Sequence, residues 1–168
     1  MPATPSSAPA RPGPLAALVR ALASGLGVGY LPVAPGTFGT LLGFPLWWAL
    51  SRSPLGLLAG AIVAAALAVP ICAAAERSWG ETDPSRAVLD EIVAVPICLL
   101  PYTPGAAPLP ALVMAFLLFR LFDVTKPPPI FQAQRAPGGL GVVLDDLLAG
   151  VYTCLILLFL RWIRVPGF

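Results

Sequence analysis

From Leu55 to Ala75 the chain runs without a single charged side chain. A helix needs about 20 such residues to cross the hydrocarbon core of a bilayer. Four further apolar segments accompany it: Phe38–Leu50, Val88–Leu100, Leu109–Phe122 and Val142–Ile163. The last of these is also long enough to cross. The other three are marginal spans, or helices packed inside a bundle. Only 11% of the residues are charged and 58% are hydrophobic, whereas a soluble domain carries about 25% charged residues. So few charges do not cover a water-facing surface, and lipid must be the solvent for much of it. The expected fold is all-α, a membrane-associated helical bundle with about five main apolar helices.

The joints between segments are rich in Gly and Pro: Ser51–Pro54, Pro101–Pro110 and Pro127–Gly141. The Trp47–Trp48 pair and Trp162 stand near segment ends, where interfacial aromatics are expected. Residues 1–14, rich in Pro, Ala and Ser, read as a disordered tail, which leaves 15–168 as one domain. Cys72, Cys98 and Cys154 lie far apart in apolar runs and read as buried small hydrophobes, not disulfides. The net charge of +2 is too small to suggest a nucleic-acid partner. The Gly56–Gly60 pair suits close helix packing, within the chain or between chains.

An alternating topology sorts the charges. Arg11, Arg20, Arg77, Arg86, Arg120, Lys126 and Arg135 fall on the face carrying the N-terminus, and Arg52, Arg161 and Arg164 on the other. The positive-inside rule makes the first face cytoplasmic. All the acids, Glu76, Glu81, Asp83, Asp90, Glu91, Asp123, Asp145 and Asp146, also fall there. Acids contribute little to topology, so their bias has another cause, and convergence on a site is the simplest.

Asp90, Glu91, Asp123, Asp145 and Asp146 each stand at or just inside the end of an apolar segment. Ionisable residues in such places are functional candidates and usually face the bundle interior. Five carboxylates at one depth repel one another unless a cation sits between them. The chain has no histidine, so a metal site must be built from oxygen ligands, which favours hard cations such as Mg²⁺. For single acids the structural uses are helix N-capping by Asp90 or Asp145 and pairing of Asp123 with Arg120 one turn back. Pro127 pushes Lys126 out of helical geometry, where it can serve as a phosphate ligand beside Arg120. Two glycine-rich stretches, one containing Gly36 and Thr37 and the other Gly139, offer backbone N–H groups to an anion. Neither matches a P-loop. Carboxylates, two cations and anion-cradling glycines together suit metal-assisted phosphoryl transfer to water.

At these residues the chain resembles the phosphatidylglycerophosphatase A family. The blocks are Ala34-Pro35-Gly36-Thr37-Phe38-Gly39-Thr40, Asp90-Glu91-Ile92-Val93, Phe119-Arg120-Leu121-Phe122-Asp123-Val124-Thr125-Lys126-Pro127, and Gly138-Gly139-Leu140-Gly141-Val142-Val143-Leu144-Asp145-Asp146-Leu147-Leu148-Ala149-Gly150. The resemblance implies a central helix surrounded by others. It also implies Mg²⁺-dependent hydrolysis of phosphatidylglycerophosphate to phosphatidylglycerol and phosphate at the bacterial inner membrane. Small departures, such as Ala94 where the family often has Gly, leave every candidate ligand in place. Other phosphatases fit poorly, since type-2 phosphatidic acid phosphatases need histidines and the haloacid dehalogenase type needs Asp-x-Asp. The alternative from another class is a non-enzymatic cation carrier or membrane scaffold using the same acids. A carrier places its acids near the bilayer middle, whereas here they gather near one face.

Overall fold

The computed structural model describes residues 13–103 and 106–168, so the expected tail at 1–14 lies almost wholly outside the described residues. The fold is all-helical. In chain order it comprises α1 (Pro14–Ala23), a 3-10 turn (Val28–Tyr30), α2 (Pro35–Leu50), α3 (Pro54–Trp79), α4 (Leu89–Cys98), α5 (Leu109–Thr125), α6 (Ile130–Ala133) and α7 (Gly139–Trp162). The five expected apolar segments are α2, α3, α4, α5 and α7. The helices α1 and α6 are additional. Each is short and lacks the long apolar run by which the others are recognised.

The ten-residue α4 is the centre, packing against α2, α3, α5 and α7. Its Val93, Ala94, Val95, Pro96 and Cys98 are all buried. Glycines let α2 approach α4 closely. A Cβ at Gly43 would stand 2.5 Å from Val95 Cβ, and one at Gly39 would stand 2.7 Å from Val88 Cβ. Gly36, Gly39 and Gly43 recur at i, i+3 and i+7, one face of a helix. On the other side, Gly150 of α7 lies against the carbonyl of Ala94. The α5 helix presents Ala111, Ala115 and Phe119 to the core. Small side chains thus carry the packing, as is usual where backbones approach closely in membrane bundles.

Two helices, α3 and α7, are long and apolar enough to cross a membrane. Many of their large side chains, such as Ile62, Leu67, Leu155 and Phe159, are exposed on the outside of the bundle. At about 1.5 Å per residue, α4 is only about 15 Å long and does not cross by itself. Trp48 and Trp162 are exposed near the ends of α2 and α7. Trp47 differs from the expected interfacial role, because it is buried in the core beside Leu57 and Leu99. The three cysteines are buried and unpaired. Gly60 packs within the chain, where a Cβ would stand 2.6 Å from Leu50 Cδ2.

The α7 helix begins three residues earlier than its apolar run. Gly138 takes a positive φ of 58° as the N-cap, a conformation open to glycine at no steric cost. Gly139 then lies directly against the backbone of Val69 and Ala73 in α3. The glycine-rich stretch is therefore spent on bringing α7 against α3. The early start also moves Asp145 and Asp146 away from the helix opening and into its second turn.

The Gly43 contact gives a direct test of the packing. Gly43→Val should destabilise the protein by roughly 1–3 kcal/mol, the usual cost of overpacking, and lower its unfolding temperature in detergent. An unchanged unfolding temperature would contradict the close α2–α4 approach.

Candidate active site

The acids converge where α2 and α4 begin, α5 ends and α7 completes its second turn. A cavity of about 340 Å³ opens there, and its walls include Gly36, Asp83, Asp90, Glu91, Arg120, Asp123, Lys126, Asp145 and Asp146. Asp90 and Glu91 occupy the first turn of α4, after Val88, which provides no side-chain cap. Gly138 provides none for α7 either. The capping reading of Asp90 and Asp145 therefore fails, and these carboxylates point into the cavity wall instead of closing helix ends.

Asp90, Glu91 and Asp146 can each bring one oxygen within 4.8 Å of the other two. Asp90 and Asp146 are only 7% and 4% exposed, and no described ion pair reaches either. Glu91 has Arg120 Nη1 at 3.6 Å, too far for a hydrogen bond. Burial and the neighbouring negative charge of Glu91 push Asp90 well above the usual carboxylate range. Burial, reinforced by Asp123 and opposed by Asp90 and Arg120, pushes Glu91 up to about 7. Buried like charges behave in this way when nothing compensates them.

The other two acids are held by cations. Arg120 Nη1 donates to Asp123 Oδ2 at 2.6 Å, one turn along α5. Lys126 Nζ donates to Asp145 Oδ2 at 2.6 Å, across to α7. Lys126 sits in the left-handed region at φ 44°, as the C-cap of α5. Pro127 excludes the helical conformation from the residue before it, and the resulting turn directs the side chain back over the site. Burial works against the Lys126 ammonium, but its bond to Asp145 and the surrounding carboxylates outweigh this and raise its pKa.

The donor set fits a hard divalent cation. It consists of carboxylate oxygens alone, and two of these, Glu91 Oε2 and Asp145 Oδ1, are buried with no hydrogen-bond partner. An unpartnered buried carboxylate oxygen is costly, and a cation bound by Asp90, Glu91 and Asp146 would satisfy the nearest of them.

Gly36 is against the site. A Cβ there would overlap Glu91 Oε1 and stand 3.0 Å from Arg120 Nη1. Thr37 and Gly139, the other two residues expected at a phosphate site, are not among the cavity-lining residues. Gly139 faces α3, as described above. Sequence reasoning passed over Asp83. Its carboxylate accepts from Gln134 Nε2 at 2.9 Å and its amide donates to Glu76 Oε1 at 2.8 Å, which fixes the 83–85 turn over the cavity. The available signal was an acid in an Asp-Pro turn on the acidic face, although it lies outside every apolar segment.

Comparison with known proteins identifies the family. The family model described as Phosphatidylglycerophosphatase A matches residues 21–161. A protein of Bacteroides thetaiotaomicron named putative phosphatidylinositol-3-phosphatase is 39% identical over 84% of this chain and 92% of its own length. Phosphatidylglycerophosphatase A of Escherichia coli is 32% identical over 83% of this chain and 81% of its own. That of Haemophilus influenzae is 33% identical over 86% and 89%. No solved structure matches. The chain belongs to the phosphatidylglycerophosphatase A family.

If the triad binds a cation, Mg²⁺ at 100 times its Kd should stabilise the fold by about 2.7 kcal/mol, seen as a higher unfolding temperature. Asp146→Asn should raise the metal-free unfolding temperature by removing one of three like charges, and should abolish the Mg²⁺ increment. An undiminished increment in the variant would remove Asp146 from the site.

Proposed function

We propose that this family member is a Mg²⁺-dependent phosphatidylglycerophosphatase. It hydrolyses the terminal phosphomonoester of phosphatidylglycerophosphate, giving phosphatidylglycerol and inorganic phosphate. The observation that carries this reading is the joining of three close carboxylates with two cations, Arg120 and Lys126, on one cavity wall at the end of an apolar bundle. Family membership and the two relatives named phosphatidylglycerophosphatase A supply the headgroup.

Asp90, Glu91 and Asp146 would hold the Mg²⁺. Bound there, the ion supplies Lewis-acid polarisation of a phosphoryl oxygen and acidifies a water molecule. Arg120 and Lys126 each engage a carboxylate, and each has further N–H donors to turn toward phosphate oxygens. They orient the phosphoryl group and offset the charge that develops on it as water attacks in line. With no histidine in the chain, the proton passes to a carboxylate. Asp123 and Asp145, which line the cavity outside the triad, are the acceptors in this scheme.

Membrane placement follows the same logic. The substrate is a lipid, and α3 and α7 are long and apolar enough to anchor the bundle. We place the protein as a multi-pass protein of the bacterial inner membrane with the cavity on the cytoplasmic face, where the positive charges concentrate. Residues 15–168 act as one catalytic domain. A cation carrier or scaffold is not favoured. The carboxylates lie at one end of the bundle, beside two cations suited to phosphate, and not midway along it.

Phosphate release by the purified protein in mixed micelles tests the reading. Release from phosphatidylglycerophosphate should require Mg²⁺ and stop with a chelator. Ala at Asp90, Glu91, Asp123, Asp145 or Asp146 should bring it to background, and Lys126→Ala or Arg120→Ala should lower kcat by about 10²–10³. Metal-independent activity, or activity in three or more of the carboxylate variants, would overturn the mechanism. Faster release from phosphatidylinositol 3-phosphate would assign the other headgroup, the one in the name of the Bacteroides relative.

A further inference from the structure

A second cavity, of about 220 Å³, lies between α2 and α5 and is lined by Leu41, Phe44, Leu112, Val113 and Phe116. No polar residue lines it. Its position relative to the catalytic cavity follows from helix geometry. The α2 helix starts at the site with Gly36, and α5 ends there with Arg120 and Asp123. The two helices run antiparallel, so increasing distance from the site means higher numbers on α2 and lower numbers on α5. Leu41 and Phe116 stand about 6–8 Å from Gly36 and Arg120 along their helices, and Phe44 and Leu112 about 12 Å, at 1.5 Å per residue. The furrow therefore begins about one turn beyond the catalytic wall and leads directly away from it.

On α5 one stripe continues from one cavity to the other. On α5, Val113, Phe116 and Arg120 recur at spacings of three and four. On α2, Leu41 and Phe44 are three residues apart, while Thr37, one turn earlier, does not line the catalytic cavity. Such spacings place side chains on one helix face. The α5 stripe is polar at the catalytic end and apolar below it. Leu41 and Val113 are about half exposed, at 47% and 49%, so the furrow opens to the outside of the bundle.

We propose that this furrow is the acyl-chain subsite of the enzyme and receives one fatty-acyl chain of the phospholipid whose phosphate enters the catalytic cavity. The inference rests on the phospholipid-phosphatase reading above and deepens it. A lipid substrate must present its headgroup to the Asp90–Glu91–Asp146 cluster while its chains leave toward the hydrocarbon. The α2–α5 furrow is an apolar exit that starts beside that cluster and is bounded by the same two helices. A chain seated there aligns the headgroup and makes turnover depend on chain length.

The test compares phosphatidylglycerophosphates bearing two long chains and two six-carbon chains, in mixed micelles with Mg²⁺. For the parent protein, kcat/KM should favour the long-chain lipid. Leu41→Trp and Val113→Trp fill the furrow from half-exposed positions. Each should lower the long-to-short ratio by about ten-fold, the discrimination an apolar site draws from a methylene or two. Val63→Trp, on an exposed face of α3, should leave the ratio unchanged. An unchanged ratio in both furrow variants, or an equal fall in Val63→Trp, would overturn the proposal while leaving the phosphatase reading intact. No phosphate release by the parent protein from either lipid would overturn that reading itself. A second measurement does not depend on variants. Phosphatidylglycerophosphate carrying a diazirine midway along one chain should label Phe44 or Phe116 in the chelator-treated parent protein, in competition with unlabelled substrate and not with phosphatidylcholine. Equal competition by both lipids would mean that the furrow holds bulk lipid, and would overturn the subsite.

Discussion

Three carboxylates, Asp90, Glu91 and Asp146, share a space less than 5 Å across at the end of an apolar bundle. Fully ionised, the cluster would contain three pairs of unit charges, each repelling by about 3–4 kcal/mol at 4.8 Å and an effective dielectric constant of about 20. Burial together with neighbouring negative charge holds the Asp90 and Glu91 carboxyls above their ordinary range. Burial adds to this for Asp90 and Asp146. A fold that is only marginally stable does not keep such an arrangement without compensation. In this protein the cations already present are committed to Asp123 and Asp145, one step outside the cluster. The remaining negative charge is thus concentrated at one point, which is the electrostatic condition for capturing a divalent ion together with the phosphate it accompanies.

The rest of the architecture serves that concentration of charge. The α4 helix carries two of the carboxylates in its first turn and is too short to span a membrane, so its role is to hold them at the end of the bundle. Glycines on α2 let Gly36 stand against Glu91 without a side chain intervening. The Gly138–Gly139 pair draws α7 onto α3 and sets the depth of Asp145 and Asp146. Pro127 turns Lys126 back across the site. Each of these is a backbone property with an electrostatic consequence, because it fixes how near one charge lies to the next. In the proposed membrane placement, the long apolar helices α3 and α7 set this polar end beside a lipid surface, where a phosphate headgroup is found.

Much of this was legible in the sequence, for identifiable reasons. Charges are rare in an apolar chain, so each of the five acids near segment ends stood out, and all five line one cavity. The i, i+3 spacing of Arg120 and Asp123 is a local signal, and that pair forms in the fold; the Lys126-Pro127 step signalled a side chain leaving the helix, but not its bond to Asp145. What could not be read was mainly long-range. Gly139 looked like an anion cradle because a glycine run has the same appearance whether it faces a phosphate or a neighbouring helix. Only the position of α3 decides between them. Trp47 looked interfacial but turns inward beside Leu57. Asp83 was passed over because its tie to Gln134 joins residues far apart in the chain. The short helices α1 and α6 lack the apolar length by which the others are recognised.

The central claim is that Asp90, Glu91 and Asp146 bind a divalent metal at the catalytic cavity. The most direct measurement is anomalous diffraction from crystals of the protein soaked in Mn²⁺, a hard cation of the same preference as Mg²⁺. A single peak, or a close pair, within coordination distance of carboxylate oxygens from these three residues is predicted. Full Mn²⁺ occupancy elsewhere, for example at Glu76 and Glu81, with none among the three would contradict the account.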